Sequence, residues 1–231
     1  MESYLACAAQ TLRLDDDGAQ LFPGVLDAAV LHALLGTLAD QPSDQAGVRL
    51  FDIKGLGAFL GPKGVIGALA ASCMEGAPRP VRAILFDKTA EMNWSLAWHQ
   101  DRVVAVRERI EVAGFGPWSR KHGALHVAPP FEVLSGMRTL RVHFDPVPEG
   151  NAPLLIAPGS HRLGRIAEQE VPDVVQRRGV ATCTANAGDV WVYATPILHA
   201  SERASEPAHR RVLQVDYATG DLPGGLRWLG V

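Results

Sequence analysis

The sequence predicts a mainly β domain, a β-sandwich or jelly roll, with helices confined to the N-terminal third. Helical spacing of apolar residues is found only before residue 80. After it, short segments rich in Val, Trp and Tyr alternate with Gly and Pro turns, which is typical of sandwiches and jelly rolls. The chain has 231 residues, 47% of them hydrophobic and 20% charged, as expected for one globular domain.

The N-terminal region predicts one strand and two helices. Residues 19–22 follow an acidic turn and precede Pro23-Gly24, which favours a short strand. Apolar residues at helical spacing predict a helix over residues 25–38, with Asp27 near its start, where a carboxylate favours the helix dipole. A second helix is expected over residues 63–74, before a Gly-Ala-Pro stop.

Beyond residue 80 the pattern changes to strands. Five strand segments are predicted: residues 81–86, 96–98, 139–144, 189–193 and 211–217. In residues 139–144 the apolar side chains alternate with Thr139, Arg141 and His143, so the two sets face opposite sides of the strand. We expect a single domain over 1–231, with 1–80 as a helical N-terminal support and 81–231 as a β-barrel core.

Composition excludes several classes of function. A formal net charge of −3 gives no case for binding nucleic acid, and no apolar stretch reaches the ~18–20 residues of a membrane span. The first seven residues lack the basic and apolar regions of a signal peptide. Cys7, Cys73 and Cys183 are too far apart in sequence for a CxxC pair, so we expect a reduced, cytoplasmic protein. We also expect its substrate to be a small molecule.

His99-Gln100-Asp101 and the later His199 predict a metal site. On an extended segment His99 and Asp101 point to the same face, so one strand end can present two ligands. Two imidazoles and one carboxylate form the facial triad of non-haem Fe(II) oxygenases, which leaves other coordination positions open. An HxD pair alone is common by chance, and a lone histidine is usually a partly buried residue with a hydrogen-bond partner. The prediction of a metal site therefore depends on the combination of the HxD pair with His199 and the arginines that follow it.

Arg210 and Arg211 follow His199 across a polar turn. A hairpin there would bring the start of the next strand beside His199, where a guanidinium could fork onto the far carboxylate of a dicarboxylate co-substrate. The spacing and the strand alternation favour Arg210 for this role and leave Arg211 solvated. The alternative is that both arginines are surface charges.

Taken together, the motifs resemble the phytanoyl-CoA dioxygenase family of Fe(II)/2-oxoglutarate-dependent oxygenases, in a bacterial branch. The matching segments extend over nearly the whole chain in the family's order: residues 17–26, 98–101, 151–161, 188–189 and 199–211. HxD alone is weak, but its combination with the Pro-Gly-Ser-His turn at 158–161 and the His-to-Arg spacing is specific. The chain has Asn151-Ala152 where that branch usually has Asn-Gly, a departure expected to affect only a turn.

The resemblance implies a double-stranded β-helix, a jelly-roll or cupin-like barrel. His99, Asp101 and His199 would then be the iron ligands, and Arg210 would hold the distal carboxylate of 2-oxoglutarate with help from Ser201. Lys88 stands where relatives place a co-substrate-binding lysine. The implied cofactors are Fe(II), 2-oxoglutarate and O2, and the default reaction hydroxylates an unactivated C–H bond of a small organic substrate, with release of succinate and CO2.

Other polar and aromatic residues have two interpretations. Arg141 and His143 would contact co-substrate or substrate if their strand face lines the barrel, and would be solvated if it faces outward. Tryptophans 94, 118 and 191 are candidates for the pocket wall. The long insert after the HxD motif, residues 102–134, is expected to include a lid loop that selects the substrate.

Two rival functions stay open on the sequence alone. One is a cupin-like metal-dependent hydrolase or isomerase that uses the same ligands without 2-oxoglutarate. The other is a non-catalytic jelly-roll domain with a structural metal, whose coordination positions would all be filled by protein.

Overall fold

Two antiparallel sheets form the two walls of a jelly roll in the computed structural model, which describes residues 11–42, 45–121 and 123–231. The strands are β1 (Ala19–Phe22), β2 (Gly47–Leu50), β3 (Arg79–Lys88), β4 (Leu96–His99), β5 (Val104–Val106), β6 (Trp118–Lys121), β7 (Ala124–Val127), β8 (Arg138–His143), β9 (Leu154–Ile156), β10 (Ala181–Cys183), β11 (Val190–Ala194), β12 (His199–Ser201) and β13 (Arg210–Ala218). The α-helices are α1 (Leu14–Asp17), α2 (Ala28–Thr37), α3 (Gly57–Leu60), α4 (Val65–Ser72), α5 (Phe131–Ser135) and α6 (Val171–Arg178).

The large sheet has six strands in the order β1-β11-β8-β13-β3-β2, and the smaller one has four in the order β10-β9-β12-β4. Because consecutive strands of the chain often lie in different sheets, the chain crosses repeatedly between the two walls. A third sheet, β5-β7-β6, is formed by residues of the insert after the HxD motif. This is the jelly-roll architecture that the sequence predicts.

The outer face of the large sheet is apolar and packs on helices. Leu140, Val142, Leu213 and Val215 are buried there against side chains of α2, α3 and α4, in the largest core cluster of the described residues. Removing such side chains from water is the main source of stability of the domain. The inner face of the same sheet is left for polar side chains, as the alternation in residues 139–144 predicts.

The two predicted N-terminal helices are found with shorter ends, whereas three of the predicted strands, β3, β4 and β13, are longer than predicted. The helix expected over residues 25–38 is α2, and the Asp27 carboxylate caps it by accepting a hydrogen bond from the Val30 amide at 2.8 Å. The helix expected over 63–74 is α4. Two further helices, α5 and α6, lie beyond the N-terminal third, contrary to the expectation that helices are confined to it.

The division of the chain at residue 80 stays a prediction. The N-terminal part does contribute α1 to α4, but it also supplies β1 and β2, which form the two edges of the large sheet. Within the described ranges, no helix combines the length and the apolar character needed to cross a membrane. Cys73 and Cys183 are free thiols, and Cys7 lies outside the described residues.

Strands β5, β6 and β7 take up 11 of the 33 residues of the insert after the HxD motif, and residues 107–117 form no strand or helix, so the expectation of a lid loop stays a prediction. Val104, Val106 and Val127 are buried in a cluster with Leu226 and Trp228 near the C-terminus. This packing fixes the sheet to the side of the barrel. His126 of β7 is fully buried in it and is not part of the lining of the cavity described below.

Candidate active site

His99, Asp101 and His199 come together although 99 residues lie between the first and the last. His99 ends β4 and His199 begins β12, and the two residues are directly paired across these neighbouring strands. Their rings are 4.3 Å apart between centroids, and one ligand atom from each of the three residues lies within 4.8 Å of the others. This separation fits three protein ligands on one face of a single metal ion.

The two histidines are oriented in the same way. Nδ1 of His99 lies 2.7 Å from the carbonyl oxygen of Ala97, and Nδ1 of His199 lies 2.9 Å from that of Ile197. A backbone carbonyl can only accept, so each Nδ1 carries the proton and each Nε2 keeps its lone pair. Burial, and next the neighbouring His99 ring, lower the pKa of His199 to about 4, so its ring is neutral at physiological pH. The donor set therefore fits a divalent metal such as Fe(II).

The carboxylate of Asp101 is held by Arg82 of β3. Nη2 of Arg82 donates to Asp101 at 3.0 Å, and its Nε donates to Asp216 at 2.5 Å. Burial alone would raise the pKa of Asp101, but the Arg82 guanidinium and the two imidazoles outweigh it and keep the pKa at about 2. Asp216 is steadied further by Thr139, which donates to it at 3.0 Å. Arg82 thus keeps Asp101 ionised and leaves one of its oxygens for a metal.

The middle residue of the HxD motif fastens a loop. The side-chain amide of Gln100 donates to the carbonyls of Gly164 and Pro196 at 3.0 and 2.8 Å and accepts from the Ile166 amide at 2.9 Å. Ser160, in the Pro-Gly-Ser-His turn, accepts from the Leu198 amide at 2.9 Å, immediately before His199. These bonds fix the backbone on which the second histidine is presented.

The N-terminal motifs contact the later ones. The Gly159 amide donates to the Asp17 carbonyl at 2.7 Å, and the Gly24 amide donates to the Asp189 carboxylate at 2.8 Å. The His161 ring packs so closely on Gly18 that a Cβ there would lie 2.2 Å from Nδ1 of His161. The N-terminal segment on which the family resemblance rests therefore contacts two later segments of that resemblance, and these contacts stabilise the barrel.

A cavity of about 750 Å³ opens beside the three candidate ligands. Both main sheets line it, together with Lys121 at the end of β6. Its basic lining residues are Arg49, Arg82, Arg102, Lys121, Arg141 and Arg210, whereas Asp101 is its only acidic one among the residues that the structure describes. The apolar part of the wall includes Ile84, Phe86, Trp94, Leu96 and Leu154. Such a wall suits an anionic ligand with an apolar part.

Arg210 lines this cavity. Its side chain is only 2% exposed, its Nη1 donates to the carbonyl of Ala152 at 2.8 Å, and its Nε has no partner. Burial, and next the positive charge of Arg141, lower the pKa of Arg210 to about 9. No carboxylate of the described residues neutralises it. A buried guanidinium without a counter-ion is costly, so the site fits the carboxylate of a ligand.

Ser201 and Lys88 lie next to Arg210. Lys88 is the direct strand partner of Arg210, and its Nζ donates to the Glu202 carbonyl at 2.9 Å and to Ser201 at 3.4 Å. Burial, and next the charges of Arg210 and Arg141, lower the pKa of Lys88 to about 7. The structure thus brings three of the sequence-predicted cofactor residues into one cluster, although Lys88 is not part of the cavity lining.

Arg141 and His143 both face inward but differ in position. Arg141 lines the cavity, donates to Gln214 at 3.0 Å and lies over the Phe86 ring. His143 lies outside the cavity lining and is 1% exposed, with no hydrogen-bond partner on either ring nitrogen. Burial, then Arg141 and Arg210, lower the pKa of His143 to about 3. Of the two, only Arg141 is placed to touch a ligand.

The predicted hairpin between His199 and Arg210 is wrong. β12 belongs to the four-stranded sheet and β13 to the six-stranded one, so the connecting segment crosses from one wall to the other. Arg210 therefore faces His199 across the cavity instead of lying beside it. Arg211 points away and pairs with Asp145 through two hydrogen bonds of 2.9 and 2.7 Å.

Ala152 affects more than a turn. Its φ of 52° is in the left-handed region that favours glycine, and its carbonyl oxygen accepts from both Arg210 and Ser201. The departure from the family's Asn-Gly pair therefore lies at a residue that holds the candidate co-substrate site. The sequence predicted the turn but not this contact.

One of the three candidate tryptophans lines the cavity, and so do two basic residues that the sequence did not identify. Trp94 lines the cavity, as expected, but Trp118 and Trp191 pack in apolar clusters elsewhere. Arg49 and Lys121 line it without having been identified from the sequence. They lie on β2 and β6, which carry no clear strand pattern, so no signal in the sequence pointed to them.

Comparison with known proteins gives a family and a fold. The family model described as phytanoyl-CoA dioxygenase (PhyH) matches residues 14–212. No curated protein sequence matches the chain.

Three of the similar solved structures show the same fold. AviO1 from Streptomyces viridochromogenes Tue57 superimposes with a TM-score of 0.64 at 20% identity, covering 96% of this chain and 99% of its own. SnoK, an α-ketoglutarate-dependent carbocyclase from nogalamycin biosynthesis, gives 0.65 at 15% identity, covering 94% and 85%. The epimerase SnoN, in complex with Fe3+, α-ketoglutarate and nogalamycin RO, gives 0.64 at 19% identity, covering 92% and 88%.

Proposed function

The chain belongs to the phytanoyl-CoA dioxygenase family, and from this membership and the site geometry we propose that it is a 2-oxoglutarate-dependent non-haem iron dioxygenase that hydroxylates a small organic substrate. Fe(II), 2-oxoglutarate and O2 are its cofactor, co-substrate and oxidant. The observation that supports the proposal most is the pairing, in one cavity, of the His99, Asp101 and His199 cluster with the buried, uncompensated Arg210.

Each group of residues has a separate task in the proposed reaction. His99, Asp101 and His199 would hold the metal through two Nε2 atoms and one carboxylate oxygen, and Arg82 keeps that carboxylate ionised. Arg210, assisted by Ser201 and Lys88, would bind the distal carboxylate of 2-oxoglutarate and so fix its direction in the cavity. When bound, iron with 2-oxoglutarate and O2 supplies an oxidant that can attack an unactivated C–H bond, as 2-oxoglutarate becomes succinate and CO2.

The protein supplies orientation and shelter around this chemistry. The inner wall buries Arg141 against Gln214 and Phe86, and it surrounds the reacting volume with Ile84, Leu96 and Leu154. An apolar wall excludes water from a reactive centre. Three protein ligands beside an open cavity also support a catalytic site over a closed structural one.

The proposal is tested by measuring conversion of 2-oxoglutarate to succinate with Fe(II) and O2. We expect His99→Ala to reduce turnover by at least about 1,000-fold, because one ligand is lost. Arg210→Gln should weaken 2-oxoglutarate binding by about 100-fold, since a buried charge pair is broken. Arg211→Gln is the matched control and should leave both quantities unchanged, because its partner Asp145 lies away from the cavity.

Two results would contradict the proposal. Equal turnover in the wild type and His99→Ala would remove the metal assignment. Unchanged 2-oxoglutarate affinity in Arg210→Gln would favour the hydrolase or isomerase alternative, which does not use this co-substrate. The outcome of the reaction is read from the product mass, where hydroxylation adds one oxygen atom, and ring formation or desaturation removes two hydrogens.

A further inference from the structure

The cavity has more positive charge than the proposed co-substrate requires. Arg82 is paired with Asp101 and Asp216, and Arg102 has Glu168 at 3.7 Å. Arg49 and Lys121 also line the cavity, and neither has a carboxylate partner among the described residues. The buried Nε of Arg49 has no hydrogen-bond partner at all.

Arg49 is well separated from the arginine assigned to 2-oxoglutarate. Arg49 pairs with Ile84 on β3, whereas Arg210 pairs with Lys88, four residues further along the same strand. Arg49 also lies on β2, two strands away from β13. With strands about 4.8 Å apart and about 3.4 Å per residue, the two backbones are roughly 16 Å apart. A 2-oxoglutarate molecule fixed between Arg210 and the metal would not neutralise Arg49.

The charges of the cofactor and co-substrate do not remove this excess. A divalent metal and a doubly charged 2-oxoglutarate add no net charge to the cavity, and Asp101 is already paired with Arg82. Burial, and next the nearby Arg82, lower the pKa of Arg49, so its cation is destabilised where it lies. An anion beside it would relieve this cost.

We propose that Arg49 and Lys121 bind an anionic group of the substrate, a carboxylate or a phosphate, so that the enzyme selects small acids with an apolar body. The inference rests on the proposed function, because the metal and 2-oxoglutarate define which end of the cavity is left for the substrate. A guanidinium can grip such an oxyanion with two parallel hydrogen bonds, and a lysine adds a point charge. Phe86, Trp94 and Leu96 form the apolar wall that would receive the rest of the molecule.

The test compares three probes of similar size: phenylacetate, phenyl phosphate and the neutral phenylacetamide. Each is titrated by calorimetry into the full-length protein without O2, with Mn(II) and saturating 2-oxoglutarate present. We expect at least one of the two anions to bind at least about tenfold more tightly than the amide. The better of the two identifies the oxyanion as a carboxylate or a phosphate.

Variants assign the binding to these residues. Arg49→Gln and Lys121→Gln should each remove most of the preference for the anion, whereas Arg49→Lys should keep part of it because the charge is retained. Arg120→Gln is the matched control, since Arg120 is an exposed neighbour of Lys121 and not part of the cavity lining. Thermal melting of each variant checks that it is folded.

The proposal is overturned if neither anion binds more tightly than the amide, or if Arg49→Gln binds the anions as the wild type does. It is also overturned if Arg49→Gln weakens 2-oxoglutarate as much as Arg210→Gln, because Arg49 would then belong to the co-substrate site. If 2-oxoglutarate fails to bind the wild type, the proposed function fails. An anion preference that depends on Arg49 in the absence of 2-oxoglutarate would still support the anion site itself.

Discussion

Two groups of cations, in the cavity and directly beside it, have different surroundings. The held cations, Arg82, Lys88 and Arg210, are buried, and each donates hydrogen bonds to a carboxylate or a backbone carbonyl. The open cations are Arg49, which is half-buried, and Lys121, which is exposed. No carboxylate among the described residues neutralises them. Fixed geometry suits ligands that are the same in every turnover, the metal and the co-substrate. The open cations lack such partners, and in our proposal they are left for the substrate.

The contrast also follows from where the strands lie. Held cations are on β3 and β13, which are central strands with neighbours on both sides. Arg49 is on β2, an edge strand, and Lys121 is on an edge of the small sheet. Edge strands have few constraints from neighbours, so their side chains can change with less effect on the core.

Among the held cations, Arg82 should cause the largest loss in the free energy of unfolding when it is replaced. Arg82→Met would leave Asp101 and Asp216 buried without their counter-ion, and breaking a buried pair in this way costs about 3–5 kcal/mol. Urea unfolding at pH 7 measures the free energy of unfolding. The deficit should shrink as the pH falls towards 4, because protonation removes the unpaired charges.

The control for Arg82 is a surface pair. Arg227→Met breaks the pair with Glu108, whose side chains are 63% and 50% exposed, and should cost less than about 1 kcal/mol. Equal losses in the free energy of unfolding of the two variants would mean that the Arg82 ion pairs contribute no more to stability than a surface pair.

Much of the candidate site around the metal ligands could be predicted from the sequence. HxD spacing on an extended segment identified His99 and Asp101, and strand alternation favoured Arg210 over Arg211. It put Arg141 and His143 on one face without deciding whether that face lines the barrel. These predictions depend only on local geometry along one strand. Arg82 was missed, although it lies on a predicted strand, because its partners Asp101 and Asp216 come from distant parts of the chain.

The open group could not be predicted, and the reason is topological. Arg49 reaches the cavity only because β2 pairs with β3, and Lys121 only because the insert folds as a sheet. Neither pairing has a signature in the four-residue strands themselves. The hairpin expected between His199 and Arg210 was wrong for a related reason, since a polar turn does not tell whether the chain stays in one sheet or crosses to the other.

Replacing Lys88 should have an effect of intermediate size, on 2-oxoglutarate binding and on the proton uptake that accompanies it. A dicarboxylate bound beside it should raise its pKa from about 7, so that 2-oxoglutarate binding takes up roughly half a proton at pH 7 and more at pH 8. Calorimetry in buffers of different ionisation enthalpy measures this uptake. Lys88→Met should abolish it and weaken 2-oxoglutarate by about tenfold, whereas Lys121→Met, in the open group, should leave the uptake intact. Proton uptake that persists in Lys88→Met would assign it to another group.

The smallest expected effect is at Ala152, whose carbonyl holds Arg210 and Ser201. Glycine at its φ of 52° removes roughly 1 kcal/mol of backbone strain, and the greater freedom of glycine in the unfolded chain offsets about 0.5–1 kcal/mol of that gain. Ala152→Gly should therefore change the free energy of unfolding by less than about 1 kcal/mol and leave 2-oxoglutarate affinity as it is, because the accepting carbonyl is retained. Ala152→Val, β-branched at the same φ, should lower both stability and affinity. If Ala152→Gly instead weakens 2-oxoglutarate severalfold, the rigidity of this residue is itself part of what holds Arg210 in place.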